Sequence, residues 1–191
     1  MIVCAVVAFV TAAAAIYFTR QTDTVAVIWP VDAFILAIIL RSPHVSWGPM
    51  LLAGLVGVTA SDWLMADPFP VAFLLGVCNM AEVATSAFLF SRLVPSPPDL
   101  TRPKAFAIFI VVCAGIGPTI GSSAATLVLT QLNGMDAWPV FYSWFASASL
   151  GVLTITPLLL MLRTAEISRI VSKPYGKSFL RAMPKCPVEI H

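Results

Sequence analysis

Long apolar runs and short polar connections alternate along the whole chain. Each run is long enough, as a helix, to cross a hydrocarbon core about 30 Å thick. The six runs cover residues 2–19, 25–41, 46–65, 70–91, 104–131 and 138–162. This pattern predicts an all-α fold, a polytopic membrane bundle of about six transmembrane helices.

The composition supports a membrane protein. Of the 191 residues, 59% are hydrophobic and 10% are charged, with a mean hydropathy of +0.94. Soluble domains have about a quarter of their residues charged. We therefore expect an integral membrane protein rather than a soluble one.

The basic residues predict how the bundle is oriented. If the N-terminus is cytoplasmic, ten of the eleven Lys and Arg residues fall in inner loops or in the tail, and Arg20 alone lies outside. Asp62, Asp67 and Asp136 then fall in the outer connections. Because Lys and Arg concentrate in cytoplasmic loops, both termini are predicted to be cytoplasmic.

A basic segment follows the last apolar run. Residues 163–172 can continue the sixth helix until Pro174 interrupts it, and residues 166–191 form a predicted cytoplasmic tail attracted to anionic lipids. A tail this short cannot build an apolar core. We expect any cytoplasmic output domain to be missing from this chain.

Two carboxylates, Asp32 and Glu82, fall within the predicted spans. A charge at bilayer depth costs about 2.5 to 3.5 kcal/mol, and such residues usually face the interior of a bundle. Asn79 and either Thr85 or Ser86 lie on the helical face of Glu82. No Lys, Arg or His occurs inside any span to neutralise these acids, so they must be protonated, bonded to neutral donors, or in contact with water or a cation. They either fasten helices or form a sensing site.

The stretch "IWPVDAF" suggests a structural role for Asp32 instead of a sensing role. Pro30 suits the first turn of a helix, and a carboxylate two residues later can cap its free N–H groups. With Trp29 as an anchor at the outer interface, we expect this helix to start just below the outer surface. Glu82 is then the stronger sensing candidate.

Small residues form stripes at helical spacing on the last two predicted spans. Such stripes let helix backbones approach closely. They comprise Gly117 and Gly121 in the fifth span, and Ser143, Ser147, Gly151 and Thr154 in the sixth. Pro118 lies between the two glycines and predicts a kink or a short unwound stretch. That irregularity is either a packed kink or part of a ligand pocket.

Motifs for catalysis are absent from the sequence. It contains no phosphate-binding loop, zinc motif, nucleophile elbow or Cys/His cluster. We therefore expect no enzyme activity, no cofactor and no metal site. We also expect no nucleic acid partner.

Four blocks of the sequence resemble the MASE1 domain, a bacterial membrane-embedded sensory module. They are "IWPVDAFILAIILR", "WGPMLLAGLVGVTASDWLMADP", "VCNMAEVATSAFLFSRL" and "WFASASLGVLTITPLLL", and the likeness covers roughly residues 1–165. The matching positions are Trp29, Pro30, Asn79, Glu82, Gly151 and Pro157. Two positions depart from the resemblance: Asp32, where Asn or Gly is common, and Ala148, where an Asp is expected.

The resemblance implies a multi-pass sensor in the bacterial inner (plasma) membrane. Such a region has six to eight helices and is joined to a diguanylate cyclase, a cyclic-di-GMP phosphodiesterase or a histidine kinase. The implied partners are the lipid bilayer, a cytoplasmic enzyme of one of these classes and a second copy in a homodimer. Two alternatives stay open: a small six-helix transporter or substrate-capture subunit, and a purely structural membrane subunit.

Overall fold

The computed structural model describes residues 2–20, 29–41, 47–65, 67–96 and 98–161. The predicted tail and residues 25–28 of the second run lie outside these ranges. The described chain forms α1 (Ile2–Arg20), α2 (Pro30–Arg41), α3 (Trp47–Leu64), α4 (Phe69–Leu93), α5 (Pro103–Val111), α6 (Gly117–Asn133) and α7 (Ala137–Met161). A π-helical turn, Val112–Ile116, joins α5 to α6.

The all-helical class is confirmed for the part of the chain that the structure describes. Every apolar run contains a helix with nearly the expected bounds, and the fifth run is one rod made of α5, the π turn and α6. Among the described residues, three helices are long and apolar enough to cross a membrane, and Cys4–Tyr17 is a shorter apolar helix. The three are Phe69–Leu93, Pro103–Asn133 and Ala137–Met161.

Helix α4 runs antiparallel to both of its main neighbours. Towards α3, Gly54 lies against Met80 while Gly76 lies against Thr59. Towards α6, two contacts show the same opposite order: Gly117 against Ser86, and Gly121 against Glu82. These glycines allow the backbones to approach closely, as the stripe at Gly117 and Gly121 predicts.

Helix α2 runs in the same direction as α7 and is attached to it at three levels. Its 12 residues make a helix about 18 Å long, shorter than a hydrocarbon core. The three bonds are Trp29 N–H to Ser147 O at 3.1 Å, Thr156 Oγ1 to Ala33 O at 3.1 Å, and Arg41 Nη1 to Leu159 O at 3.0 Å. The two helices therefore form one hydrogen-bonded pair.

A π turn, Val112–Ile116, lies just before Pro118, where the sequence predicts a kink or a short unwound stretch. Proline has no N–H to donate to the carbonyl four residues earlier, which belongs to Ala114. The Ser149 hydroxyl on α7 donates to that carbonyl at 2.8 Å. Because a side chain replaces the missing backbone bond, the rod continues without unwinding.

The two ends of the bundle differ in chemistry. Large exposed aromatic side chains, Trp63, Trp138 and Tyr142, lie where α3 ends and α7 begins. Exposed basic side chains lie at the other end, where Asp99 pairs with Arg102 at 3.2 Å in the connection between α4 and α5. Between these ends, the core consists mainly of aliphatic side chains and of Phe90 packed edge-on against Phe109.

Candidate functional site

Helix α2 begins halfway along α7, inside the bundle. The backbone N–H of Trp29 donates to the carbonyl of Ser147, the eleventh residue of the 25-residue helix α7. One turn further, Gly151 lies so close to the Trp29 carbonyl that any side chain would collide with it. Pro30 begins the helix as predicted, but the prediction that Trp29 is an outer-surface anchor is wrong.

This depth brings Asp32 next to other acids. Asp32 is the third residue of α2 and is 1% exposed. Its carboxyl group lies close enough to those of Glu82 and Asp62 for their charges to interact, and the Trp29 indole faces it. Neither oxygen of Asp32 accepts a hydrogen bond of good geometry. The predicted capping role is therefore not observed, because the first turn of α2 faces the other acids in the bundle interior.

Glu82 lies at mid-height on α4, where α6 comes closest. It is 1% exposed, and its carboxyl group lies directly against Gly121. One turn along, Ser86 lies directly against Gly117. A side chain at either glycine would fill the space that the Glu82 and Ser86 side chains occupy. The glycine stripe thus holds α6 against the face of α4 that carries Glu82.

The polar stripe on α4 points inwards, as its spacing predicts. Asn79 and Ser86 are both 1% exposed, whereas Thr85 is half-buried. Within the described part of the chain, neither the amide atoms of Asn79 nor the Ser86 hydroxyl has a hydrogen-bond partner. Buried polar side chains are usually bonded, so this face combines burial with unused hydrogen-bonding capacity.

Asp62 is a third buried acid that the charge pattern misplaced. It is 6% exposed in the last turn of α3, so its assignment to an outer connection is wrong. The helix continues through Leu64 and turns the Asp62 side chain into the bundle. The apolar run 46–65 already indicated that Asp62 lies within a helix, because Ser61 and Asp62 fall inside that run.

The interior of the described chain holds many polar side-chain atoms without a hydrogen-bond partner. Among the described residues, twelve buried side-chain nitrogen and oxygen atoms have no hydrogen-bond partner, and only two of them are nitrogens. The atoms belong to Trp29, Asp32, Thr59, Ser61, Asn79, Glu82, Ser86, Thr126 and Ser147. No described buried position holds Lys, Arg or His. The described residues also contain no group of three or more His, Cys, Asp or Glu arranged to hold a metal.

Most of the predicted sensing residues therefore meet in one region, which we call the acidic site. Its members are Trp29, Asp32, Asn79, Glu82, Gly117, Gly121, Ser147 and Gly151. Pro30 is half-buried at the start of α2 beside it. Pro118 is also buried and lies just after the π turn. Ala148 places an apolar, buried side chain where the resemblance leads one to expect an acid.

Comparison with known proteins gives one match. The family model described as MASE1 matches residues 1–183 of the chain. Searches of curated proteins and of solved structures found no match to it. The matched region includes every residue of the acidic site.

Proposed function

We propose, from the premise that this chain belongs to the MASE1 family, that it is the membrane-embedded sensory module of a bacterial signal-transduction system. MASE1 is a membrane-associated sensor domain of signalling proteins. The observation that carries the proposal is the acidic site itself. Ionisable residues buried in a membrane bundle usually mark a functional site, and here they are joined to the last helix.

Helix α2 provides a route from the acidic site to the end of α7. Asp32 lies in its first turn, and Arg41 in its last turn donates to the carbonyl of Leu159. Because three hydrogen bonds fix α2 along α7, a change in the packing of Asp32 moves both helices together. A stimulus can shift this packing only by binding one arrangement more tightly than the other.

The proposed topology has six membrane crossings, with both termini in the cytoplasm of a bacterial cell. The exposed Trp and Tyr side chains of α3 and α7, Trp63, Trp138 and Tyr142, lie at one end, whereas exposed basic side chains lie near Arg102 at the other. Aromatic residues favour membrane interfaces, and Lys and Arg favour the cytoplasmic side. Cysteines introduced at Asp136 and Asp99 should react with an impermeant thiol reagent from the outside and the inside of the inner membrane, respectively.

The proposed output is control of a cytoplasmic cyclic-di-GMP enzyme or histidine kinase, with the sensor acting as a homodimer. The test joins the full chain at its C-terminus to a diguanylate cyclase and measures cyclic-di-GMP across growth conditions. We expect the output to vary with conditions and to lose that variation in Glu82→Gln. The matched control is Ser91→Ala, an exposed position on α4, which should behave as the unmodified chain does.

Two outcomes would contradict the sensory proposal. One is a cyclase output that never varies while the protein is inserted and folded. The other is a variable output that Glu82→Gln leaves unchanged, because the acidic site would then play no part. A crosslinking assay in membranes that finds only monomers would contradict the proposed homodimer.

A transporter or substrate-capture subunit is the second candidate. The specific observation in its favour is that α2 starts inside the bundle beside buried carboxyl groups, an arrangement that transporters use for substrate and ion sites. Proteoliposomes containing the purified chain test it. Solute accumulation that Glu82→Gln abolishes would favour transport over sensing.

A further inference from the structure

We propose that a basic pocket at one end of the bundle binds a single anionic phospholipid, for which phosphatidylglycerol is the probe. The pocket lies where α4 ends and α5 begins. Arg102 and Lys104 contact the lipid phosphate, and Leu93 and Ile108 contact the start of an acyl chain. This site goes beyond the proposed sensory function and does not depend on it.

The basic pocket is separate from the acidic site. Its lining begins at Leu93, the last residue of α4, which is eleven positions after Glu82. Because an α-helix rises 1.5 Å per residue, these two residues are about 16 Å apart along the helix axis. A ligand held at the end of α4 therefore does not occupy the acidic site.

The size of the pocket fits the polar end of a lipid. Its volume is about 320 Å³, at the lower end of the range of about 300 to 1,000 Å³ that is typical of ligand sites. The buried side chains of Val94 and Ala105 form part of its lining. A phosphate and the first carbons of one acyl chain fit this volume, and the rest of the lipid stays in the bilayer.

The charged side chains of the pocket favour a phosphate. Arg102, Lys104 and Asp99 all line it and are exposed, so two positive charges and one negative charge leave a net positive charge. The Asp99 carboxylate accepts bonds from Thr101 and from Nε of Arg102, the latter at 3.2 Å. A guanidinium has five N–H donors, and this bond uses one of them. The terminal N–H groups of Arg102 can therefore donate to a phosphate, which arginine binds strongly.

The surface around the pocket favours a lipid over a dissolved phosphate compound. Large apolar side chains of α5 are exposed within two turns of Lys104, and Leu93 on α4 is 59% exposed. Those of α5 are Phe106, Ile110 and Val111. The basic side chains thus lie where the polar connection meets the lipid-facing surface. Basic pockets at this level on the cytoplasmic side bind lipid head groups, and the proposed topology places this end of the bundle in the cytoplasm.

The test measures lipid binding to the purified full chain, delipidated in a neutral detergent. Native mass spectrometry counts bound phosphatidylglycerol and bound phosphatidylcholine across a titration at constant ionic strength. We expect one phosphatidylglycerol to bind with a preference of about tenfold, because each Lys or Arg beside an anionic lipid contributes about fivefold and the nearby acid offsets part of this.

Removing the basic side chains should weaken the binding. Arg102→Gln and Lys104→Gln should each lower the affinity for phosphatidylglycerol about fivefold, and together about twentyfold. The matched control is Arg92→Gln. Arg92 is also an exposed basic residue in the last turn of α4, but its guanidinium lies over the Phe88 ring at 4.9 Å and does not line the pocket. Its replacement should leave the affinity nearly unchanged.

A variant with the opposite expected sign guards against misfolding. Asp99→Asn removes the acid from the pocket lining, so it should tighten the binding of phosphatidylglycerol severalfold. A gain in affinity cannot result from a damaged fold. Unchanged or weaker binding in Asp99→Asn would contradict the charge argument.

The lipid headgroup without acyl chains, glycerophosphoglycerol, separates a lipid site from a site for dissolved anions. In excess, it should not displace the lipid, because it has no apolar part to contact Leu93 and Ile108. Displacement by this compound at concentrations similar to those of the lipid would overturn the proposal. So would equal binding of the two lipids, unchanged affinity when both basic residues are replaced, or an equal loss in Arg92→Gln.

Discussion

Two buried polar regions of this bundle contain similar residues, but they differ in hydrogen bonding. At the π turn, the Ala114 carbonyl that Pro118 leaves unbonded receives the Ser149 hydroxyl at 2.8 Å. At the acidic site, Glu82 and the Asn79 and Ser86 side chains beside it have polar atoms with no hydrogen-bond partner among the described residues. One region completes the backbone, and the other retains unused hydrogen-bonding capacity.

This difference distinguishes polar residues that hold helices together from polar residues that serve a function. A serine that donates to a backbone carbonyl lacking its helical partner contributes to stability. Its effect on signalling is indirect. A serine whose hydroxyl is buried without a partner lowers stability by about 1 to 3 kcal/mol, so its presence is better explained by a ligand. Four substitutions test this distinction, from the largest expected effect to the smallest.

Replacing Gly151 with Ala should have the largest effect. The added methyl group collides with the Trp29 carbonyl, which is backbone and cannot rotate away. We expect a loss of about 3 kcal/mol in the free energy of unfolding, at the upper end for overpacking, along with loss of response. Thermal melting in nanodiscs measures it. Gly48→Ala is the control, because a methyl group there meets nothing within 4 Å, and an equal effect of both would contradict the explanation.

Replacing Ser149 with Ala should destabilise the bundle and spare its response. The Ala114 carbonyl would lose its hydrogen bond, and such bonds between membrane helices contribute about 0.6 kcal/mol on average and 1.7 at most. Thermal melting and the cyclase fusion give the two readouts. An unchanged melting temperature would show that the π turn does not need this bond.

Replacing Ser86 with Ala should give the reverse result. Its hydroxyl is buried and, among the described residues, unpartnered, so its removal loses no bond and should raise the free energy of unfolding by about 1 kcal/mol, the lower end of the cost of an unpaired buried polar group. The response of the cyclase fusion should nevertheless weaken. If Ser86→Ala melts as low as Ser149→Ala, the contrast between the two regions fails.

Replacing Asp99 with Asn should have the smallest effect and should depend on pH. Hydrogen bonds from the hydroxyl and backbone N–H of Thr101, with the nearby Arg102, hold the pKa of Asp99 below its usual range. A carboxyl group with a lowered pKa stabilises the fold above its unfolded pKa, about 3.9, and loses this contribution as the pH falls through its folded value. The melting temperatures of the two proteins should differ slightly at pH 7 and approach one another as the pH falls below about 3.9.

The sequence predicted the helices well because each apolar run is long and bounded by polar residues or proline. It also predicted which face of α4 points inwards, since Asn79, Glu82 and Ser86 repeat at helical spacing. It failed on depth. Trp29 beside Pro30 reads as an interface anchor, and only the bond from Trp29 to Ser147 shows that α2 begins inside the bundle. Local pattern contains no information about that pairing, because the two residues are 118 positions apart in the sequence.

The π turn also determines which way the second half of the fifth rod faces. A π turn inserts one extra residue into an α-helix, and one residue corresponds to a rotation of about 100° about the helix axis. Before the turn, Phe109 packs against Phe90, and after it, Gly121 lies against Glu82. Removing one residue between Val112 and Ile116 would restore a regular helix and rotate Gly121 away from α4. The extra residue in the π turn thus determines whether α6 places glycines or bulkier side chains against Glu82.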